Sequence, residues 1–290
     1  MPKTLIQCVV VLYKCSLADS KTLRALAEAC RQYGDLAQRI SLLIYDNSQD
    51  LQAVNLAPWS FGAVEYHQAA ENNGLAAAYN QALSKAVDSN VEWLLLLDQD
   101  TALTSALFPA LIEAIESPLV PEICAVVPKL MQNGKVISPL KVGRLHNLDL
   151  PSSFSGACHG KITALNSAAC MRVQAITAIG GFPHEYWLEF LDHIMFHRLQ
   201  AAGGQILILD IAIEHRLSIH NLEAEMGLGR YANVLSAEWR FIRETGSGGG
   251  SLVHRLRLLK RTFSHAVKRR NKAYAIKTLQ AILKIDSSQQ

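Results

Sequence analysis

Asp98-Gln99-Asp100 carries the sharpest chemical signal in the sequence, two carboxylates two residues apart at the end of the apolar run Val91–Leu97. Paired negative charges at the end of a buried strand are costly unless something positive meets them. Hard divalent cations such as Mg²⁺ or Mn²⁺ take oxygen ligands and share them with phosphates. The doublet therefore points to a metal-bound diphosphate, with a solvated turn as the plainer alternative. His215, just past the run Ile206–Ile213, could complete such a site, since imidazole suits Mn²⁺. Alone, it would read as an ordinary surface or core histidine.

Three further groups could bind or react. Asn72-Asn73-Gly74 opens the alanine-rich stretch Gly74–Val87. A helix N-terminus there would suit a phosphate or a ribose, and an ordinary asparagine cap with a turn glycine fits equally well. Asp46 follows the run Ile40–Tyr45 and could accept hydrogen bonds from a base or ribose, or cap a turn. Glu189 and Asp192 lie three residues apart among Tyr186, Trp187 and Phe190, on one face at the start of a helix. Aromatic neighbours would desolvate these acids and favour a basic carboxylate. The alternative is that they complement the helix dipole.

The elements that must position these residues alternate in type. Leu5–Tyr13, Ile40–Tyr45, Val64–His67 and Val91–Leu97 read as strands, with helices over Asp19–Tyr33 and Gly74–Val87 between them. That rhythm predicts βαβ units and a mainly parallel central sheet flanked by helices. In such sheets ligands bind beyond the carboxyl ends of the strands, where Asp46, Asn72, Asp98 and His215 fall. Farther on, Ala102–Ile115, Val173–Ile179 and Phe190–Ala202 read as helices, and Ile123–Lys129, Ile162–Arg172 and Gln205–Ile213 as strands. Gly246–Ser251 reads as a flexible linker. Beyond it Leu252, Leu256, Leu259, Phe263 and Val267 share one face of a basic amphipathic helix. The expected organisation is a domain over 1–245, a linker over 246–251 and a basic helical tail over 252–290.

Composition bounds the answer. The chain has 290 residues, half of them hydrophobic, which supports a sizeable core and excludes wholesale disorder. No apolar run reaches the roughly 18 residues needed to cross a bilayer, and the N-terminus shows no secretory signal pattern. The six cysteines lie far apart without a C-x-x-C pair, which argues against a zinc knuckle and for a reducing, cytoplasmic setting. Of the net charge of +3, residues 252–290 hold ten basic residues and one acid, or +9, leaving −6 on the rest. Phe263 and Tyr274 alone interleave those cations with aromatic rings, so nucleic acid is not an expected partner.

The ordered set resembles the family-two inverting glycosyltransferases of GT-A fold. It runs Val11-Leu12-Tyr13, Asp46-Asn47-Ser48, Glu71–Asn80, Leu96–Thr101, Asn166–Cys170, Gly180-Gly181-Phe182, Tyr186–Asp192 and His215. The Asp-Gln-Asp-Thr form is most similar to bacterial rhamnosyltransferases of O-antigen and other surface polysaccharides. The resemblance implies a nucleotide-sugar donor of dTDP or UDP type, with dTDP-rhamnose the leading choice. It further implies Mg²⁺ or Mn²⁺ at Asp98, Asp100 and His215. Tyr13, Asp46, Asn72, Gly74, Asp98 and Gly181 would line the donor. Asp192 would be the catalytic base, with Glu189 its acidic neighbour. A saccharide acceptor carried on lipid would place the protein at the inner face of the plasma membrane, its tail on anionic lipid. The tail's alternative is a helical pair packed on the body or on a second subunit of a homodimer. Lys14, Glu189, His193 and Arg216-Leu217-Ser218 depart from the family pattern. A sugar-phosphate nucleotidyltransferase is the first alternative, weakened because Tyr13-Lys14-Cys15-Ser16 lacks glycine. A transferase-like scaffold without activity is the second.

Overall fold

The computed structural model describes residues 4–50, 52–59, 62–117, 122–143, 147–158, 160–215, 226–246 and 248–287. Arg216-Leu217-Ser218, Ser247 in the glycine-serine run, and Met1-Pro2-Lys3 lie outside the described residues. The chain divides into two compact units, Met1–His215 and Arg216–Gln290.

In the first unit β1 (Ile6–Leu12) is buried along its whole length. Helices α1 (Lys21–Gln32) and α2 (Leu36–Arg39) lead to β2 (Ile40–Asp46). Next come β3 (Val64–Gln68), α3 (Gly74–Asp88), β4 (Trp93–Asp98) and α4 (Leu107–Glu116). Strands β5 (Ile123–Gln132), β6 (Lys135–Ser138), β7 (Leu140–Lys141), β8 (Leu148–Asp149), β9 (Gly156–Cys158), β10 (Ile162–Thr163) and β11 (Ala169–Arg172) follow. Helices α5 (Val173–Ala178) and α6 (Leu191–Ala201) then precede β12 (Gln205–Glu214).

Among the described residues the main sheet runs β3-β2-β1-β4-β11-β5-β12-β9, with β6 paired to β5, while β10, β7 and β8 form a small second sheet. The pairs β3–β2, β2–β1, β1–β4 and β5–β12 are parallel, so the expected mainly parallel α/β sheet is present. It is the sheet of a GT-A-like fold. β11 lies antiparallel between β4 and β5. This orientation has a local consequence: the residues that lead into β11 stand beside the end of β4, where Asp98 is.

One expectation needs correcting here. Ile162–Arg172 is two strands rather than one: β10 ends at Thr163 in the small sheet, and a turn in which Ala168 takes a left-handed φ of 61° leads into β11 of the main sheet. Apolar content alone does not reveal that turn, since Ala168 itself is buried.

The second unit is helical: α7 (Leu228–Thr245), α8 (Gly248–Lys268) and α9 (Ala273–Ser287). It begins well before the expected boundary at residue 245. Gly248 starts α8, so most of the expected linker is the first turn of a helix. Glycine lowers helix propensity without forbidding a helix that tertiary contacts support. Here Tyr231 on α7 bonds Thr278 on α9 (2.7 Å), and Tyr274 donates to the Met226 carbonyl (2.7 Å). Arg261 on α8 meets Glu238 on α7 through both guanidinium NH2 groups (2.7 and 3.0 Å). Among the described residues no helix is long and apolar enough to cross a membrane.

Candidate active site

The loop after β4 is anchored from below by α1. Ser20 caps that helix by accepting from the Leu23 N–H (3.2 Å), and it donates to the Gln99 carbonyl (2.8 Å). The Thr22 hydroxyl donates to the carbonyls of Asp98 and Thr101. The Gln99 side chain accepts from the Tyr13 N–H (2.7 Å), tying the end of β1 to the same loop. So Gln99 points into the protein, Asp98 is half-buried and Asp100 is exposed. Tyr13 is 44% exposed at the carboxyl end of β1, where a planar ring could lie against it.

Asp98 accepts a hydrogen bond from the Ser167 hydroxyl, which the antiparallel β11 brings alongside. Burial raises the Asp98 pKa, the Ser167 bond and nearby His215 oppose that rise, and Asp100 and Asp192 add to it. Asp100, Asp192 and His215 therefore all lie within electrostatic reach of one common centre, Asp98. His215 is fixed there by its backbone N–H, which donates to the Met131 carbonyl (2.8 Å). Cys15 extends the group, since burial and the charges of Asp19, Asp100 and Asp46 raise its thiol.

Asp192 sits in the first turn of α6, and its Oδ1 accepts from the His193 N–H (2.7 Å). The preceding Phe190 has a φ of 63°, and Lys14 after β1 has 51°. With Ala168, Asn90 and Asn133 these are the non-glycine residues in left-handed backbone among the described residues; Ala168 lies beside β4. Backbone strain of this kind gathers at functional sites. Glu189 is half-buried beside Phe190.

Several donor-binding expectations change. Asp46 is fully buried: Oδ1 accepts from the Ser48 N–H (2.8 Å), and Oδ2 accepts from the Tyr66 hydroxyl (2.8 Å) and the Gln52 amide. It holds the loop after β2 together and offers no exposed face to a base. Burial, followed by the bond to Asp46, pushes the Tyr66 phenol up to about 12. The start of α3 is likewise occupied. Asn73 N–H donates to the Asn47 side chain (3.1 Å), Gly74 N–H to the Asn72 side chain (3.1 Å), and Leu75 N–H to the Trp187 carbonyl (2.8 Å). These donors are not available to a phosphate as the protein stands. Gly74 instead makes room for Trp187: its φ is 77°, and a Cβ there would collide with the Trp187 carbonyl and indole. Trp187 also donates from its indole to the Asn72 carbonyl (3.2 Å). Gly181 packs on Asn80, whose amide donates to the Phe182 carbonyl (2.7 Å) and accepts from its N–H (2.9 Å). Thus α3 clamps both the 180–182 loop and the segment leading to Asp192.

Ser167, Asn47, Gln52 and Tyr66 were not among the expected site residues. Ser167 had a signal in the polar pair Asn166-Ser167 just ahead of an apolar strand, and Asn47 had one in its place beside Asp46 after a buried strand. Among the described residues no group of three or more His, Cys, Asp or Glu side chains stands ready-made around a cation. Asp98 and Asp100 still suit Mg²⁺, which is commonly held by one or two carboxylates with substrate phosphates supplying the rest. A cleft of about 590 Å³ lined by Val87, Glu92, Arg172, Gln174 and Thr177 lies at the amino end of β4, away from these carboxylates.

Residues 8–150 match the profile of Glycosyl transferase family 2. That segment, just under half of the chain, is similar to the family 2 glycosyltransferases. It contains Tyr13, Asp46, Asn72, Gly74, Asp98 and Asp100, whereas Gly181, Glu189, Asp192 and His215 lie beyond the match. Among solved structures, residues 1–349 of TarS from S. aureus superpose with a TM-score of 0.51 at 15% identity, covering 99% of this chain and 92% of that one. A longer TarS structure gives 0.53 at 14% identity, covering 98% of this chain and 55% of the other. Identities this low establish the shared fold alone. No curated protein matches in sequence.

Proposed function

We propose that the chain is an inverting glycosyltransferase that moves a sugar from a nucleotide-sugar donor to an acceptor hydroxyl. One observation carries this reading: within a family 2 context, Asp192 from α6 and His215 from the end of β12 come to the same sheet end as Asp98 and Asp100. Asp192 takes the proton of the acceptor hydroxyl as that oxygen attacks the anomeric carbon from the face opposite the diphosphate. The C–O bond to the diphosphate breaks as the new one forms, and the configuration inverts. Asp98 and Asp100, with His215 beside them, are the groups that would hold Mg²⁺ or Mn²⁺. Such a cation supplies charge neutralisation to the departing diphosphate. Tyr13 offers its exposed ring to the nucleotide base, and Gly181 closes the side nearest the sugar. The donor sugar we favour is L-rhamnose on dTDP, by resemblance. The acceptor we favour is a lipid-linked surface saccharide, and the basic helical unit would then rest on the anionic inner face of the membrane.

Two measurements on the intact protein test the core of this. Cys15 lies within electrostatic reach of Asp19, Asp100 and Asp46, and Cys158 is likewise half-exposed, whereas the other four cysteines are buried. Adding dTDP-rhamnose with Mn²⁺ should slow alkylation of Cys15 and leave Cys158 unchanged. Asp192→Asn should keep that protection but lose about 10²–10⁴-fold in turnover, the usual contribution of a general base. Unprotected Cys15 across dTDP- and UDP-sugars, or near-normal turnover by Asp192→Asn, refutes the reading.

A further inference from the structure

Ser167 sits in the turn between β10 and β11 and is 4% exposed, beside Leu96, Ala168 and Ala169, which are apolar and buried. A hydroxyl is costly in such a place unless it is hydrogen-bonded. Its partner is the Asp98 carboxylate, to whose Oδ2 it donates. The backbone around it fixes this pairing. β11 runs antiparallel to β4 with Ala169 opposite Leu96, and the Ala168 N–H donates to the Leu96 carbonyl (2.9 Å). The Ala169 N–H closes the turn onto the Asn166 carbonyl (2.9 Å), and within that turn Ala168 holds its left-handed φ. On β4 itself, the Thr22 hydroxyl donates to the Asp98 carbonyl and holds the backbone of the same residue. Among the described residues the Ser167 bond is the one hydrogen bond to the Asp98 carboxylate, so Oδ1 is left for another partner. Asp98 is half-buried, and Asp100, two residues on, is exposed.

We propose that Ser167 is a positioning residue for Asp98: by holding Oδ2 it fixes the plane of the carboxylate and presents Oδ1 as a single-oxygen ligand to the divalent cation that accompanies the donor diphosphate. The inference rests on the transferase reading above and on its cation at Asp98 and Asp100. Hydrogen bonds to a ligating carboxylate orient it, and their loss typically costs 10- to 100-fold in metal affinity. The choice of one oxygen also discriminates between metals. A carboxylate freed to rotate can chelate through both oxygens, with a narrow bite. Mg²⁺ demands near-ideal octahedral geometry and tolerates that bite poorly, whereas the looser shell of Ca²⁺ accepts it. Ser167 therefore favours the smaller cation at this carboxylate.

The test is calorimetric titration of the whole chain with dTDP, and separately with UDP, in MgCl₂, in CaCl₂ and in EDTA. Wild type should bind at least one of the two nucleotides more tightly in Mg²⁺ than in EDTA. Ser167→Ala should weaken that Mg²⁺-supported binding about 10- to 100-fold. Its binding in Ca²⁺ should stay within about threefold of wild type, because the second oxygen replaces the lost orientation. Ser167→Thr keeps the hydroxyl and should restore the Mg²⁺ value. A Ser167→Ala variant that matches wild type in Mg²⁺ overturns the proposal. An equal loss in Mg²⁺ and Ca²⁺, or a loss that Ser167→Thr shares, marks a purely structural role and overturns it as well. Wild type that binds both nucleotides no better in Mg²⁺ than in EDTA overturns the cation in the transferase reading together with this proposal. Mg²⁺-dependent binding by wild type with an indifferent Ser167→Ala overturns this proposal alone.

Discussion

Gly74 illustrates how a single residue's missing side chain can serve a carboxylate elsewhere. Its left-handed backbone and absent Cβ let the Trp187 carbonyl reach the first turn of α3, five residues ahead of Asp192. Gly74→Ala meets both objections at once, a disfavoured φ of about 1–2 kcal/mol and a collision with backbone that must move. We expect a melting temperature lower by several degrees and a turnover reduced at least 10-fold, read by thermal denaturation and transfer assays. A Gly74→Ala variant indistinguishable from the wild type would show that the α3–Trp187 contact is dispensable. At this scale Asp98, Asp100, Asp192 and His215 were legible as neighbours, because each ends or begins an apolar element at the same side of the sheet. Asp46 and Asn72 were not legible in the same way. A carboxylate or amide that binds a ligand and one that binds its own loop are the same residue in a one-dimensional reading. The partners that decide the matter for Asp46, Tyr66 and Gln52, are distant or unremarkable in sequence.

At the scale of elements, burial patterns were legible wherever hydrophobic period matched a single environment. The runs in β1, β2 and β4 read directly as buried strands and are so. The short strands β6 to β9 were not legible, since two to four residues carry no period. Helix α7 also passed unmarked: its buried residues Tyr231, Val234, Leu235 and Ala237 are few among many polar ones. The helical unit it opens has a titratable interior. His254 is 1% exposed, its ring stacked on Trp239 at 5.7 Å, with Glu238, Arg261 and Arg257 facing it. Burial lowers its pKa, and burial likewise lowers that of His265 on the same helix. The folded unit therefore binds fewer protons than the unfolded chain near the ordinary histidine pKa of 6.5. Its stability is full above that value and falls as pH drops through it. Circular-dichroism melts between about pH 7 and pH 5 should show this loss, and His254→Phe should flatten it. An unchanged pH slope in His254→Phe would clear His254 of the role.

For the molecule as a whole, the charge division noted in the sequence acquires a surface. Leu252, Leu256, Leu259, Phe263 and Val267 on α8 are 48–72% exposed, as are Ile276, Leu279 and Leu283 on α9 at 44–61%. The α8 stripe was legible from its spacing. Its extension along α9 was not, since the apolar residues there are split between a buried and an exposed side. Exposed apolar area of this extent marks a binding face. Arg257, Lys260, Lys268, Arg270, Lys272 and Lys277 are exposed around it. Each such cation contributes about 1 kcal/mol near an anionic leaflet, and salt screens it. The whole chain should float with phosphatidylglycerol vesicles, less so at high salt, and at least 10-fold less after Leu256→Gln, Phe263→Gln and Leu279→Gln together. Equal flotation of that variant would remove lipid as the occupant and favour a second subunit.

The antiparallel insertion of β11 also bears on how the protein is made. The strands β1 to β4 can pair as soon as they leave the ribosome, yet the gap between β4 and β5 stays open until residues 169–172 emerge. The last parallel partner of β5 comes later still, at residues 205–214. Until then the nascent chain exposes two unsatisfied strand edges beside its most apolar segments, the period in which aggregation competes with folding. Synthesis itself must therefore run well past the matched family segment before the carboxylate cluster has a floor to stand on.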